Sequence, residues 1–191
     1  KPRRRVDGRA KVTGQTRFAD DLSLPRMLHC RLLRSPHPHA IVRSVDCSRA
    51  LAHPGVHLVL TGRDFPVSYG ILPVSQDEYP LAPERVRYVG DPVAAVIARD
   101  EQTATEALDL VEVCYEPLKT IATPEEALAN PEPRIHDYGE QGNLHRLQSF
   151  EFGDVDEALE LSDHVFDDVF FFEGNTHMPM EQQASLATVD G

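Results

Sequence analysis

The 191-residue sequence has too few cysteines, too far apart, for a disulfide framework or a metal cluster. Cys30, Cys47 and Cys114 are odd in number and form no Cys-x-x-Cys pair, which also rules out an iron–sulfur centre held by this chain. Cys30 and Cys114 fall in apolar, strand-like stretches and read as small core residues of a protein in a reducing, cytoplasmic compartment. Long apolar runs are missing too. The longest, Val93 to Ala98, is far too short to span a bilayer. The basic N-terminus leads into polar VDGRAKVTGQ in place of the apolar centre a signal peptide needs. Beyond Arg146 there is no lysine or arginine at all.

Several catalytic signatures are equally absent. No G-x-x-x-x-G-K-[ST] cradle for phosphates, no G-x-G-x-x-G turn after a strand and no G-x-S-x-G elbow occurs, so nucleotide-binding and serine-hydrolase classes fall away. The net charge of −12 argues against nucleic acid or an anionic membrane as the main partner. That charge is polarised. Residues 1–17 carry seven basic side chains against Asp7, and the charged residues of 147–191 are all acids. Each block is either a solvated face or a contact with a partner of opposite sign. The sequence lacks an initiating Met and stops just after a strand-like run, Ala184 to Val189, so it reads as a segment of a longer polypeptide without a complete catalytic site.

What is present describes an α+β domain. Residues 1–20, polar and punctuated by glycine, read as an irregular arm. Strands are expected over Met27–Arg34, Ile41–Asp46 and Val56–Leu60, with Leu28, Cys30 and Leu32 sharing one face. Two prolines in Ser35-Pro36-His37-Pro38-His39 force a loop. Ser48–Ala52 makes a short helical turn, and residues 62–84 form a long loop around LPVSQDE. Arg85–Val89 and Val93–Arg99 read as a hairpin or two consecutive strands, the second apolar enough for burial on both faces. Ala104, Ala107, Leu108 and Val111 repeat with helical period, with Asp100 or Thr103 as cap. A strand follows over Val111–Glu116. Thr123-Pro124-Glu125-Glu126 starts a second helix that runs through Ala129. Asn130 to Gln148 is loop-like, Asp154 with Glu157 opens a third helix, and His164–Phe172 is strongly β-forming.

Three groupings are candidates for chemistry. His37 and His39 share a face if extended, as a metal pair would, or serve the loop structurally. Asp20-Asp21 and Asp167-Asp168 are paired acids, but neighbours on a strand point to opposite faces. Asn175 to Gln183 is a polar, proline-broken stretch between two apolar strands. From it His177 and Glu181 approach a buried site, or it is simply a polar turn.

Nine segments, in order, resemble the start of the large molybdenum-binding subunit of the xanthine dehydrogenase/aldehyde oxidase family. They are RVDGRAKVTG from Arg5, DLSLP from Asp21, Met27-Leu28-His29, LRSPHPHA from Leu33, Pro54-Gly55-Val56, VGDPVAAV from Val89, VCYEPL from Val113, GDVD from Gly153 and HMPME from His177. The resemblance implies an N-terminal arm over 1–20, an a/b hammerhead domain over 21–135, a linker over 136–149 and the first elements of the molybdopterin-binding region over 150–191. It implies molybdopterin cytosine dinucleotide with molybdenum, held mostly by downstream residues, and 2Fe–2S, FAD and 4Fe–4S groups on partner subunits in a dimer of heterotrimers. No catalytic residue and no metal ligand carry over, and His177 and Glu181 are near-site candidates only. Within the family, ILPVSQDE from Ile71 and GNTHMPMEQQ from Gly174 look most like 4-hydroxybenzoyl-CoA reductases, which remove an aromatic hydroxyl from an acyl-CoA. The xanthine, aldehyde and carbon monoxide dehydrogenases are the alternative, and a stand-alone binding module the second.

Overall fold

The computed structural model describes residues 3–73, 75–138, 141–179 and 183–189. The chain divides into two compact units, Arg26–Phe150 and a second made of Lys1–Pro25 with Glu151–Gly191. Among the described residues helices and strands are mixed and every strand pairing is antiparallel, the α+β class expected. No helix among the described residues is long and apolar enough to cross a membrane.

In the second unit the arm is not wholly irregular. Asp7 receives ion pairs from Arg5 (3.1 Å) and from Lys11 (2.7 Å), the latter one helical turn on, and Gly8–Val12 forms helix α1. A 3-10 turn over Ala19–Asp21 follows, in which the Asp21 carboxylate accepts the Phe18 N–H (2.9 Å). The Arg26–Phe150 unit begins at strand β1 (His29–Arg34) and continues through β2 (Ala40–Asp46), helix α2 (Ser48–Leu51), β3 (Val56–Thr61), β4 (Arg85–Val86), β5 (Pro92–Ala98), α3 (Glu101–Leu108), β6 (Glu112–Pro117) and α4 (Pro124–Ala129). It forms two three-stranded sheets, ordered β1-β5-β3 and β4-β2-β6.

β5 is the strand that the sequence marks for burial on both faces, and it lies at the centre of its sheet. Ala94 and Val96 join Val59, Ala50, Ala107 and Val111 in one core cluster. Val93 joins Ala40, Val42, Ala82 and Val86 in the other. β4 and β5 therefore are not a hairpin, because they belong to different sheets. The chain turns between them at Gly90, whose φ of +98° suits a residue without a Cβ. α3 begins where Asp100 accepts the Thr103 N–H (2.7 Å), and α4 where Thr123 accepts that of Glu126 (3.2 Å). Both are side-chain caps of the kind the sequence signals.

Two expectations fail. Cys30 and Cys114 are exposed, not core residues. Cys30 stands opposite Ile97, one position from Val96, so it lies on the face of the sheet turned away from the cluster that Val96 joins. In the second unit, α5 (Val155–Glu160) starts at Asp154, whose carboxylate accepts the Glu157 N–H (2.9 Å). Beyond it residues 164–172 and 184–189 form no strands. A strand exists only through its ladder, and no described residue pairs with either stretch. Every described residue from Glu151 to Val189 is exposed, including Phe166, Phe170, Phe171 and Phe172.

Ala107 has no free surface, so Ala107→Leu is expected to overpack the α3–β5 contact and cost about 1–3 kcal/mol. Asp100→Ala removes the α3 cap, at about 1 kcal/mol. Urea unfolding of both variants beside the wild type checks the order.

Candidate functional site

The loop between β3 and β4 is closed on itself before it meets anything else. Tyr69 and Glu78 exchange backbone hydrogen bonds (2.8 and 3.0 Å), which makes residues 70–77 a closed excursion from the strand frame. At its neck Gly70 lies so near the Ser75 carbonyl that a Cβ would stand 2.4 Å from that oxygen. Among the described residues of the loop, the side chain that ties it down is Asp77. Its carboxylate lies 2.8 Å from the His136 Nδ1 and 3.8 Å from the Arg87 guanidinium.

The segment that holds His136 is itself pinned. The Asn143 amide accepts the Ile135 N–H (2.8 Å) and donates to the carbonyls of Asn130 (2.7 Å) and Pro133 (3.2 Å). Two arginines from β4 and its exit complete the tie. Arg85 donates to the Arg134 carbonyl (3.0 Å) and to Asp137 (3.3 Å). Arg87 donates from Nε to the Ile135 carbonyl (2.8 Å), with Asp137 3.7 Å from its guanidinium.

Between these segments lies a cavity of about 420 Å³. Tyr69, Tyr79, Tyr88 and Tyr138 line it, with Arg85, Arg87, Asp77, Glu78, Asp91 and His136 among its polar groups. Asp91 is 8% exposed, and burial raises its carboxyl above the usual range against the pull of the Arg87 N–H and guanidinium. That N–H donates to it at 3.0 Å. Burial also raises the Tyr88 phenol. Ser75 lines the cavity as well, but no hydrogen bond to His136 is found among the described residues. Ser75, His136 and Asp77 therefore form no nucleophile–base–acid chain.

None of the residues singled out as near-site candidates lies here. His177 is exposed in a stretch without helix or strand, and Glu181 lies outside the described residues. His39 is 3% exposed, with Nδ1 3.2 Å from the Lys119 carbonyl. Its buried Nε2 has no hydrogen-bond partner among the described residues. His37 sits edge-on to Tyr115, ring centres 4.9 Å apart. Both rings are thus used by the Arg26–Phe150 unit itself. Asp21 caps its own turn, while Asp167 and Asp168 are exposed. The residues that sequence reasoning passes over are Asp77, His136 and the tyrosines. Their only visible signal is that all five tyrosines fall within residues 69–138, and four of them line the cavity.

Among the described residues no three His, Cys, Asp or Glu side chains are placed to hold a metal ion. Residues 151–179 and 183–189, exposed throughout, enclose no surface on which a pterin would rest. The described residues do not by themselves fit a molybdenum cofactor.

Comparison with known proteins adds two family models in tandem. Residues 13–119 match "Aldehyde oxidase and xanthine dehydrogenase, a/b hammerhead domain", and residues 135–191 match "Molybdopterin cofactor-binding domain". A probable xanthine dehydrogenase subunit of Bacillus subtilis is 41% identical over 98% of this chain and 25% of its own length. The nicotinate dehydrogenase large molybdopterin subunit of Eubacterium barkeri is 37% identical over 97% of this chain and 43% of its own. Quinoline 2-oxidoreductase from Pseudomonas putida 86 superposes with a TM-score of 0.61 at 37% identity, over 70% of this chain and 18% of that one. The chain thus spans between a quarter and under half the length of these two curated relatives.

Burial lowers the His39 pKa below 6.5, aided by the cations Arg85 and Arg87 and opposed by the Lys119 carbonyl and Asp137. A histidine whose folded pKa is depressed stabilises the fold above its unfolded value, and that stability is lost as pH falls through the folded value. Urea unfolding is expected to show the wild type weakening as pH falls below the ordinary histidine value of about 6.5. His39→Gln should show a shallower loss.

Proposed function

Because the chain belongs to the aldehyde oxidase and xanthine dehydrogenase family, we propose that it is the N-terminal part of a large subunit whose whole enzyme oxidises a nitrogen heteroaromatic substrate. The observation that carries this reading is the order of the two family models, hammerhead over 13–119 and then cofactor-binding over 135–191. Three of the relatives are named for xanthine, nicotinate and quinoline, all nitrogen heteroaromatics, which supports this substrate class. The exposed phenylalanines of residues 166–172 fit a cofactor region completed by protein surface beyond the described residues.

In this reading the cofactor would be a molybdopterin, as its cytosine dinucleotide, held mostly by residues beyond those described, and it would supply two-electron redox chemistry. Iron–sulfur and FAD groups would belong to partner subunits. The arm over 1–20 and the hammerhead over 21–135 are the docking and channel-shaping parts, followed by a linker over 136–149. The basic arm presents Arg3, Arg4, Arg5 and Arg9 to an acidic partner surface. The tied loop around Asp77 shapes the approach of substrate. His177 and Glu181 stay near-site candidates in the cofactor region.

A second reading rests on ILPVSQDE from Ile71 and GNTHMPMEQQ from Gly174, which favour reductive removal of an aromatic hydroxyl from an acyl-CoA. The direction of the reaction separates the two. The native enzyme is expected to reduce a dye acceptor with purine, nicotinate or quinoline, placing oxygen from labelled water on the ring. Reduction of 4-hydroxybenzoyl-CoA by a low-potential donor, with no heteroaromatic oxidised, establishes the second reading. Inactivity in both directions removes both.

A further inference from the structure

We infer that the uncovered face of the β1-β5-β3 sheet is a docking surface, and that its occupant is the rest of the large subunit's own polypeptide. The occupant rests on the proposed function. The face itself rests on strand register and burial.

Two observations fix which face is meant. On β1, Arg31 pairs with Glu101 of α3, and Leu33 packs against the cluster of Ala94 and Val96 that α2 and α3 complete. Cys30 and Leu32, which alternate with them, therefore point the other way. Register carries that side across the sheet. Cys30 stands opposite Ile97 and Leu32 opposite Ala95, while from the far side of β5 Leu58 meets Ile97 and Leu60 meets Ala95. The result is two rows over three strands, Cys30-Ile97-Leu58 and Leu32-Ala95-Leu60, with no charged side chain in either. The second sheet covers this side at its Val93 end, where Val93 packs with Ala40, Val42 and Val86. Beyond that end Leu32 keeps 37% of its surface and Leu58 45%, and Cys30 is exposed as well.

Three features select the occupant. The buried apolar residues are alanines and valines, with Leu81 the one leucine among the described residues, so the unit leaves its larger aliphatic side chains outside its own cores. An apolar face without charge resembles a domain core cut in half, the character of a permanent contact and not of a transient one. The chain also spans only 25% of the Bacillus subtilis relative and 18% of the solved quinoline 2-oxidoreductase chain. A large subunit of that length therefore holds most of its residues outside this unit. A contact within one polypeptide costs no free translation of a separate partner.

Cys30 reports on the face directly. The test treats the native enzyme with a small maleimide and reads Cys30 by peptide mass spectrometry, with the same protein unfolded in urea as reference. Alkylation of Cys30 is expected to be slowed by about a hundredfold or more, as for a group reached only through local opening. The slowing should persist on dilution and in the large subunit purified alone. Alkylation of native Cys30 near the unfolded rate overturns the inference. Protection lost on dilution, or on separation from accompanying chains, assigns the face to a second copy or a partner chain and overturns the stated occupant. As a second measurement, Leu58→Asp places a carboxylate in the contact and should lower the melting temperature of the native enzyme, whereas Leu58→Met should melt nearly as the wild type does. Equal melting of Leu58→Asp and wild type overturns the inference too. Protected Cys30 in a native protein without molybdenum or pterin leaves the docking face standing and removes the proposed function. A molybdenum enzyme with freely reacting Cys30 does the reverse.

Discussion

β5 shares backbone hydrogen bonds with β1 on one side and β3 on the other, while its side chains divide between two cores. Ala94 and Val96 face the cluster that α2 and α3 complete, and Val93 enters the cluster built on β2 and β4. Small side chains suit this strand where α3 packs against it. A strand committed in this way has no freedom to slip, since a one-residue shift would exchange the two sets of side chains. Its entry is fixed as firmly: the Ser35 N–H donates to the Asp91 carbonyl (2.9 Å) and the Gly90 N–H to the Ser35 carbonyl (2.8 Å).

From that entry the cavity follows. Asp91, at the foot of β5, receives the Arg87 N–H, and Arg87 reaches across to the Ile135 carbonyl and towards Asp77. Thus the same few residues that join the two sheets also bind the long loop to the segment after α4. The loop keeps its shape through hydrogen bonds and ion pairs, not through a core of its own. Ile71 and Leu72 at its outer end remain exposed. A loop restrained at its neck and free at its end is suited to meeting another molecule or another part of the enzyme.

The sequence discloses those features whose causes are local. The Thr123–Glu126 and Asp100–Thr103 caps join residues three positions apart, and the apolar run of β5 is visible as a run. What depends on distant pairing is concealed. Asp77 and His136 are 59 positions apart, and nothing in either neighbourhood names the other. An apolar stretch points Cys30 towards the core, but which face a strand buries depends on what covers it. Residues 164–172 have the propensity of a strand, and propensity without a ladder partner makes none. His177 and Glu181 rest on a proline-broken polar stretch and on resemblance, and neither fixes a position in space.

The two units also differ in self-sufficiency. Arg26–Phe150 closes two cores around β5, whereas the described residues from Glu151 onward bury nothing. That contrast is intelligible if the latter belong to a cofactor region shared with more protein. The direct measurement is elemental and cofactor analysis of the native protein, purified with whatever chains accompany it. Close to one molybdenum and one pterin for each copy of this chain, with iron and flavin in the same complex, is the expected result. A homogeneous, folded native protein that contains neither molybdenum nor pterin would contradict the assignment to a molybdenum oxidoreductase.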